Sequence, residues 1–404
     1  MENPILAMIP SGYNAADAKL YSILPVDGSG DFTVSVDADA TRVNKEGLIE
    51  GVALNQARLT YDPLNPECPS LLLEPTVRNL ITYSEDFSFW GDTGVTVTSN
   101  DTISPDGTMN ADKLKSTANN WRRNKVVTLI SGQTYTFSVY AKLDTTTSTT
   151  KAKLEFYRGA SGVTATFDLE NKIIVNSGLT DPFIKELGNG WYRIGGAFVA
   201  NGTTGIFYVY PSEAYGVAGT MFYWGAQAEQ GSYETSYVPT VSTIVTRTND
   251  VCKDAGNAAL FNVSKLSLFI DANNFKTNTG SFSYIVLTDG QSSPINMIRL
   301  DYTQNSISIR SYDNGTIKLS YNITSVVPNQ RNKLLLTFDN NEAKTYFNGV
   351  LKNTSTSITI PSGLDSLSFT NRTESGGYFQ GEVHDARVYD RVLTQAEAIK
   401  LTTI

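Results

Sequence analysis

From Thr134 to Leu143 side-chain character alternates residue by residue. Tyr135, Phe137, Val139, Ala141 and Leu143 fall on one face, and Thr134, Thr136, Ser138, Tyr140 and Lys142 on the other. A period of two is the signature of a strand, because successive Cβ atoms point to opposite faces of a sheet. The pattern recurs at Lys153–Arg158, Trp191–Phe198, Ile206–Tyr210 and Met221–Gln227. Turn pairs such as Asn189-Gly190 and Tyr215-Gly216 separate the runs. Strands so closely spaced predict an all-β sandwich or barrel over 79–250.

A second set of alternating runs begins after residue 251. Leu266, Leu268 and Ile270 form one; Ile317, Leu319, Tyr321 and Ile323 another; Leu334, Leu336 and Phe338 a third. Asn314-Gly315 and Asn348-Gly349 suit two-residue hairpins, whose central positions both need φ > 0. The polar, threonine-rich stretch 239–256 marks a boundary near 250. One short helix is expected after Thr394, with Glu397 completing a capping box.

Residues 1–78 read differently. Pro4, Pro10, Pro25, Pro63, Pro66, Pro69 and Pro75 leave room only for short strands and extended chain. Phe32–Val36 alternates for one strand, and Leu71-Leu72-Leu73 is a short buried stretch. So broken a segment cannot fill its own core. It is expected to lie against a sister subunit or a larger assembly. The 404 residues thus divide into an irregular N-terminal segment, 1–78, and two β-sandwiches, 79–250 and 251–404.

The formal net charge is −8, and 1–78 hold eleven Asp/Glu against five Lys/Arg. No basic cluster longer than Arg122-Arg123 exists, so no nucleic-acid partner is expected. No apolar run approaches the ~20 residues of a membrane span, and the start lacks the basic region of a secretion signal. Cys68 and Cys252 form no disulfide framework or zinc spacing; two buried small hydrophobes in a cytoplasm-folded chain are expected.

Catalytic sets are hard to assemble. His384 is the sole histidine, which leaves no HExxH helix, and a Ser-His-Asp triad would lack the Gly-x-Ser-x-Gly elbow. It is expected at a surface or interface. Glycoside hydrolysis needs two carboxylates about 5–10 Å apart. Glu155, Asp168, Glu186, Glu213 and Glu229 are available, but no pattern singles out a pair. The chain is therefore read as non-enzymatic.

Binding fits better. Aromatic faces with amide and carboxylate partners hold sugars. Trp191 and Trp224 sit among apolar residues and are expected in the core. Trp121, in a polar run, is the first choice for stacking, with Arg122 beside it and Tyr378 at a loop edge as further carbohydrate contacts. No cofactor is expected. Loops near Glu85, Asp86 and Asp112 offer oxygen ligands for a structural calcium.

Three regions resemble known families. Thr41-Arg42-Val43-Asn44-Lys45-Glu46-Gly47-Leu48-Ile49-Glu50, Arg58-Leu59-Thr60-Tyr61-Asp62 and Cys68-Pro69-Ser70-Leu71-Leu72-Leu73-Glu74-Pro75 resemble the N-terminal module of phage fibre and head-spike proteins, especially in phages of Bacteroidota. Asn79-Leu80-Ile81-Thr82-Tyr83-Ser84, Gly132-Gln133-Thr134-Tyr135 and Gly225-Ala226-Gln227-Ala228-Glu229-Gln230-Gly231 are similar to a carbohydrate-binding-module-like jelly roll. Tyr346-Phe347-Asn348-Gly349 and Gly381-Glu382-Val383-His384-Asp385-Ala386-Arg387-Val388-Tyr389 are similar to concanavalin-A-like (laminin-G/pentraxin-like) sandwiches, although no pentraxin-type calcium set can be matched.

The resemblance implies a virion fibre made in the bacterial host cytoplasm. Residues 1–78 would bind phage capsid or tail proteins, with Arg42, Asn44, Leu71, Leu72 and Leu73 as anchoring contacts. The chain would form a homotrimer and project its sandwiches toward host-surface polysaccharide. A decoration fibre without ligand, or a glycan hydrolase, are the alternatives.

Overall fold

The computed structural model describes residues 4–10, 32–116, 122–213, 217–275, 283–291, 293–324, 326–339, 341–370 and 377–404. Trp121 and the Tyr215-Gly216 turn lie outside the described residues. The fold is all-β, as the alternation requires.

Among the described residues the middle sandwich has two six-stranded antiparallel sheets. The first runs Thr180–Gly188, Trp191–Val199, Thr134–Leu143, Gly219–Gln230, Ala111–Ser116, Val95–Thr102. The second runs Ile173–Ser177, Gly162–Asp168, Lys151–Tyr157, Thr204–Tyr210, Arg122–Thr128, Gly91–Thr93. Between them lies an aromatic core that includes Phe137, Phe156, Phe167, Phe198 and Phe207. Phe137 stacks on Phe207 at 4.7 Å and meets Phe156 edge-on at 5.0 Å. Such pairs add about 0.5–1.5 kcal/mol beyond the area they bury.

The polar face read for Thr134–Leu143 is not solvated. Thr136, Ser138 and Tyr140 are buried. Residues 231–238 fold back over them: Thr136 Oγ1 donates to the Gly231 carbonyl, and Tyr140 packs with Trp191, Trp224, Tyr237 and Ile49. Trp191 and Trp224 are core residues, as expected. Asn79 pins the entry to this sandwich. Its amide donates to the Ala226 and Val238 carbonyls and accepts from the Ile81 and Ala228 amides, which satisfies the buried group completely.

The C-terminal sandwich packs a five-stranded sheet on an eight-stranded one, again among the described residues. The larger sheet runs Val350–Thr356, Glu342–Phe347, Asn332–Asp339, Leu266–Asn274, Gly381–Tyr389, Asn65–Leu73, Leu59–Asp62. Leu6–Met8 also pairs with Gly381–Tyr389. Asn314-Gly315 and Asn348-Gly349 turn with positive φ at both positions. The helix Gln395–Thr402 starts at Thr394 with the full capping box and covers the outer apolar patch around Phe269 and Tyr346.

The N-terminal segment is thus part of this sandwich. Leu71 and Leu73 pair with Val383 and Gly381, and Leu6, Met8, Phe32, Leu59, Leu71 and Leu73 enter its core. Two further ladders tie it to the connecting stretch: Thr33–Ser35 pairs with Val251–Lys253, and Val77–Asn79 with Val245–Arg247. Strands of its own chain cover these core residues, while Leu54 and Leu64 of the same segment stay exposed.

A buried ionic quartet closes the junction. Arg58 and Arg247 face Glu74 and Asp250, all at most 3% exposed. Arg58 Nη1 lies 2.8 Å from Glu74, Nη2 pairs with Asp250, and Arg247 Nη1 is 3.2 Å from Glu74. Glu74 also accepts from the Ser236 amide and hydroxyl at 2.8 and 2.7 Å. Burial opposes its charge, but the two arginines outweigh burial and hold its pKa at about 2.

Candidate functional site

The second sheet of the middle sandwich has one face in the core and one outside. Phe207, Val209, Leu154, Phe156, Ala165 and Phe167 point inward. The register therefore sends their neighbours outward, in rows that cross the strands. Asn124 stands opposite Tyr208, Tyr208 opposite Glu155, and Glu155 opposite Thr164. In the next row Tyr210 faces Lys153, which faces Thr166. In the row on the other side Val126 faces Ile206, which faces Tyr157.

Arg122 lies across these rows. Its guanidinium sits 3.8 Å from the Tyr208 ring centre and donates at 2.9 Å both to Glu155 Oε2 and to the Tyr210 hydroxyl. That hydroxyl also donates to Glu155. Lys153 Nζ lies 4.8 Å over the Tyr210 ring. Burial and the Glu155 carboxylate push the Tyr210 hydroxyl above its ordinary pKa, so it stays protonated and keeps donating. Arg122 and Glu155 are each 24% exposed, so the cluster is ordered by its own bonds and still open to a ligand. Asn124 lies over Gly91, where a Cβ would come within 2.6 Å of its amide oxygen; only glycine leaves this room.

The face thus offers one half-buried ring, Tyr208, a fork-shaped cation, a carboxylate and an amide over the buried Tyr210, at a strand spacing of about 4.8 Å. Such a set can stack on a sugar ring and hydrogen-bond its hydroxyls in pairs. Of the carbohydrate contacts expected from sequence, Arg122 is at its centre. Trp121, next in the chain, lies outside the described residues. Tyr378 belongs to the C-terminal sandwich, where it bridges to Thr370, and does not share this site. Sequence reading missed Tyr208, Tyr210, Lys153 and Asn124. The alternation of Ile206–Tyr210 held the clue, since it puts both tyrosines on the face opposite Phe207.

The expected anchoring residues are engaged within the chain. Arg42 pairs with Glu50 at 2.7 Å, Asn44 donates to the same carboxylate, and the Asn44 side chain accepts from the Glu46 and Leu48 amides to shape the turn. Leu71, Leu72 and Leu73 are at most 6% exposed. Their surfaces are already covered by neighbouring strands.

The calcium expectation meets a different arrangement. Asp112 accepts from the Phe87 and Asn100 amides, Asp86 caps the turn at Ser88, and Glu85 takes the Tyr237 hydroxyl and the Asn110 amide. Among the described residues no group of three His, Cys, Asp or Glu is placed to hold a metal. Burial raises the Asp112 pKa to about 6 despite its amide donors. Cys68 is exposed, against expectation, and Cys252 is buried. His384 is 22% exposed where the C-terminal sandwich meets the N-terminal segment and the middle sandwich.

Comparison with known proteins agrees with the C-terminal reading. Residues 258–398 match the family model of the Concanavalin A-like lectin/glucanases superfamily. No curated protein sequence matches the chain. Among solved structures, the chain is similar to the Ruminococcus gnavus IT-sialidase CBM40 bound to alpha2,3 sialyllactose, at 18% identity over 35% of this chain and 84% of that one, with a TM-score of 0.29. Domain 4 of AbnA, a GH43 extracellular arabinanase from Geobacillus stearothermophilus in complex with arabinotriose, gives 18% identity, 38% and 73% coverage and a TM-score of 0.31. The native heptameric SAP-like pentraxin from Limulus polyphemus gives 16%, 34%, 69% and 0.27. No ligand passes from these likenesses to this chain.

Proposed function

We propose that this chain is a non-enzymatic glycan-binding protein whose middle sandwich takes saccharide on the Arg122–Tyr208–Tyr210–Glu155 face. The observation that carries this reading is the outward row of aromatic and hydrogen-bonding side chains, held in place by their own contacts. Preorganisation of that kind lowers the entropy lost on binding. The lectin/glucanase match at 258–398 supports the same ligand class for the protein as a whole.

The cellular role proposed with it is that of a phage virion fibre, made in the bacterial cytoplasm, trimeric, and adhesive to host-surface polysaccharide. Its support is the resemblance of 1–78 and 79–250 to fibre modules. Several copies on one particle would turn weak single sites into avid attachment.

A glycan array with the full chain, Arg122→Ala and Tyr208→Ala tests the binding. Binding that falls by at least about tenfold, roughly 1.4 kcal/mol, in both variants is expected. Silence across capsular and outer-membrane glycans would leave the decoration fibre, and release of reducing sugar would revive the hydrolase. Antibody labelling of phage particles tests the fibre role separately.

A further inference from the structure

A cleft opens where the N-terminal hairpin Thr41–Val43/Ile49–Gly51, the middle sandwich and the C-terminal sandwich meet. Its volume is about 630 Å³, inside the roughly 300–1,000 Å³ of small-ligand sites. The sheet face described above contributes nothing to its lining.

The charges of its wall are paired inside the chain save two carboxylates, Asp62 at the rim and the buried Glu382, whose pKa burial raises and which Ser70 and Asn273 hydrogen-bond. Arg42 is paired with Glu50, Lys185 with Glu234, and Glu186 with Lys172 at 2.7 Å. Arg193 is spent on Ser138 Oγ and the Thr235 carbonyl, and Glu74 on Arg58 and Arg247. At the rim, Asp62 Oδ1 accepts from the Leu64 amide. Burial and the nearby Arg331 hold the His384 pKa at about 4, so it is neutral at pH 7. An anionic ligand entering here would lose its water and meet carboxylates with no free cation, which is costly.

The hydrogen-bonding groups left for a ligand are mostly uncharged: Thr60 and Tyr61 bring hydroxyls, and Asn273 and Asn329 bring amides. The buried Asn273 Oδ1 has no hydrogen-bond partner. Tyr233 and Phe275 pack ring to ring at 5.4 Å and supply an aromatic wall. Rings, hydroxyls and amides without a free cation suit a neutral polyhydroxylated molecule.

We infer that this cleft is a second binding site, for a short neutral oligosaccharide held between the two sandwiches and the N-terminal hairpin. It takes the ligand class proposed for the sheet face, but the two sites share no residue, so they fail separately. Because three parts of the chain line the cleft, an occupant also tightens their docking.

The native chain carries its own reporter. Cys68 is exposed and lines the cleft, whereas Cys252 is buried and its thiol is pushed well up by burial. A fluorescent maleimide should therefore modify Cys68 alone. In the full-length chain, cellotriose, maltotriose or mannotriose at millimolar concentration is expected to slow that modification by about tenfold, a change of roughly 1.4 kcal/mol. Trigalacturonate should not. Protection should persist in Tyr208→Ala and be lost in Tyr61→Ala, whose ring is half-buried at the rim and outside the core. The proposal is overturned if none of the three neutral sugars protects, if trigalacturonate protects equally, or if Tyr208→Ala abolishes protection. The last result would leave the sheet-face reading standing.

Discussion

The two sandwiches solve the same packing problem from different material. The core between the sheets of the middle one is self-contained: its residues all lie between Ile81 and Ala228, and it is rich in aromatic rings. The C-terminal core is largely aliphatic and incomplete without the first 78 residues, which lend it Leu6, Met8, Phe32, Ala57, Leu59, Leu71 and Leu73. Large rings bury more area per position, so a contiguous stretch can close a core alone. Smaller side chains need more strands, and here those strands come from the far end of the chain.

The sharpest way to break this contrast is to remove residues 1–78. Each of the six larger lost side chains forfeits about 1.5–3 kcal/mol of burial, so their sum is comparable to the ~5–15 kcal/mol that holds a domain folded. Calorimetry of 79–404 should show the C-terminal transition gone and the middle one retained. Two retained transitions would mean that the C-terminal sandwich closes without its borrowed strands.

A smaller effect is expected from Arg58→Met. It strips the buried Glu74 and Asp250 of their nearer cation, at a cost of about 3–5 kcal/mol in urea unfolding. The loss should fall on the transition that includes the N-terminal segment. An unchanged midpoint would show that Arg247 alone balances both carboxylates.

The mildest test uses pH, because His384 in the C-terminal sandwich and Asp112 in the middle one respond with opposite sign. Burial lowers His384 to about 4 from an ordinary 6.5, so below pH 6.5 the unfolded chain takes up a proton that the folded one refuses. His384 alone should cost the C-terminal sandwich up to about 3 kcal/mol as pH falls from 6.5 to 4, while the raised carboxyls of Asp301, Glu382 and Asp385 pull the other way. Asp112 runs the other way. Its pKa is raised from 3.8 to about 6, so its contribution is greatest below pH 3.8 and is lost as pH rises through 6. In melting curves across pH 4–7, Asp112→Asn should lessen the middle transition's gain on acidification, and His384→Gln should raise the C-terminal transition at low pH relative to the unchanged chain.

The candidate face was half legible. Arg122 stood out as part of the only adjacent basic pair in a polar run, but Glu155 was one acid among many. What unites them is register: Glu155 reaches Arg122 across the Thr204–Tyr210 strand, and register between distant strands has no local mark.

The chain's own order of residues determined everything governed by near neighbours. Period-two alternation specified strands, Asn-Gly pairs specified hairpins through their positive φ, and Thr394 with Glu397 specified where the helix begins. Tertiary structure alone decided which strands meet. Leu71 opposite Val383, Thr33 opposite Lys253 and Tyr140 beneath residues 231–238 follow from the burial of distant apolar surfaces. Many partners satisfy a strand edge equally well, and only the closed core selects one of them.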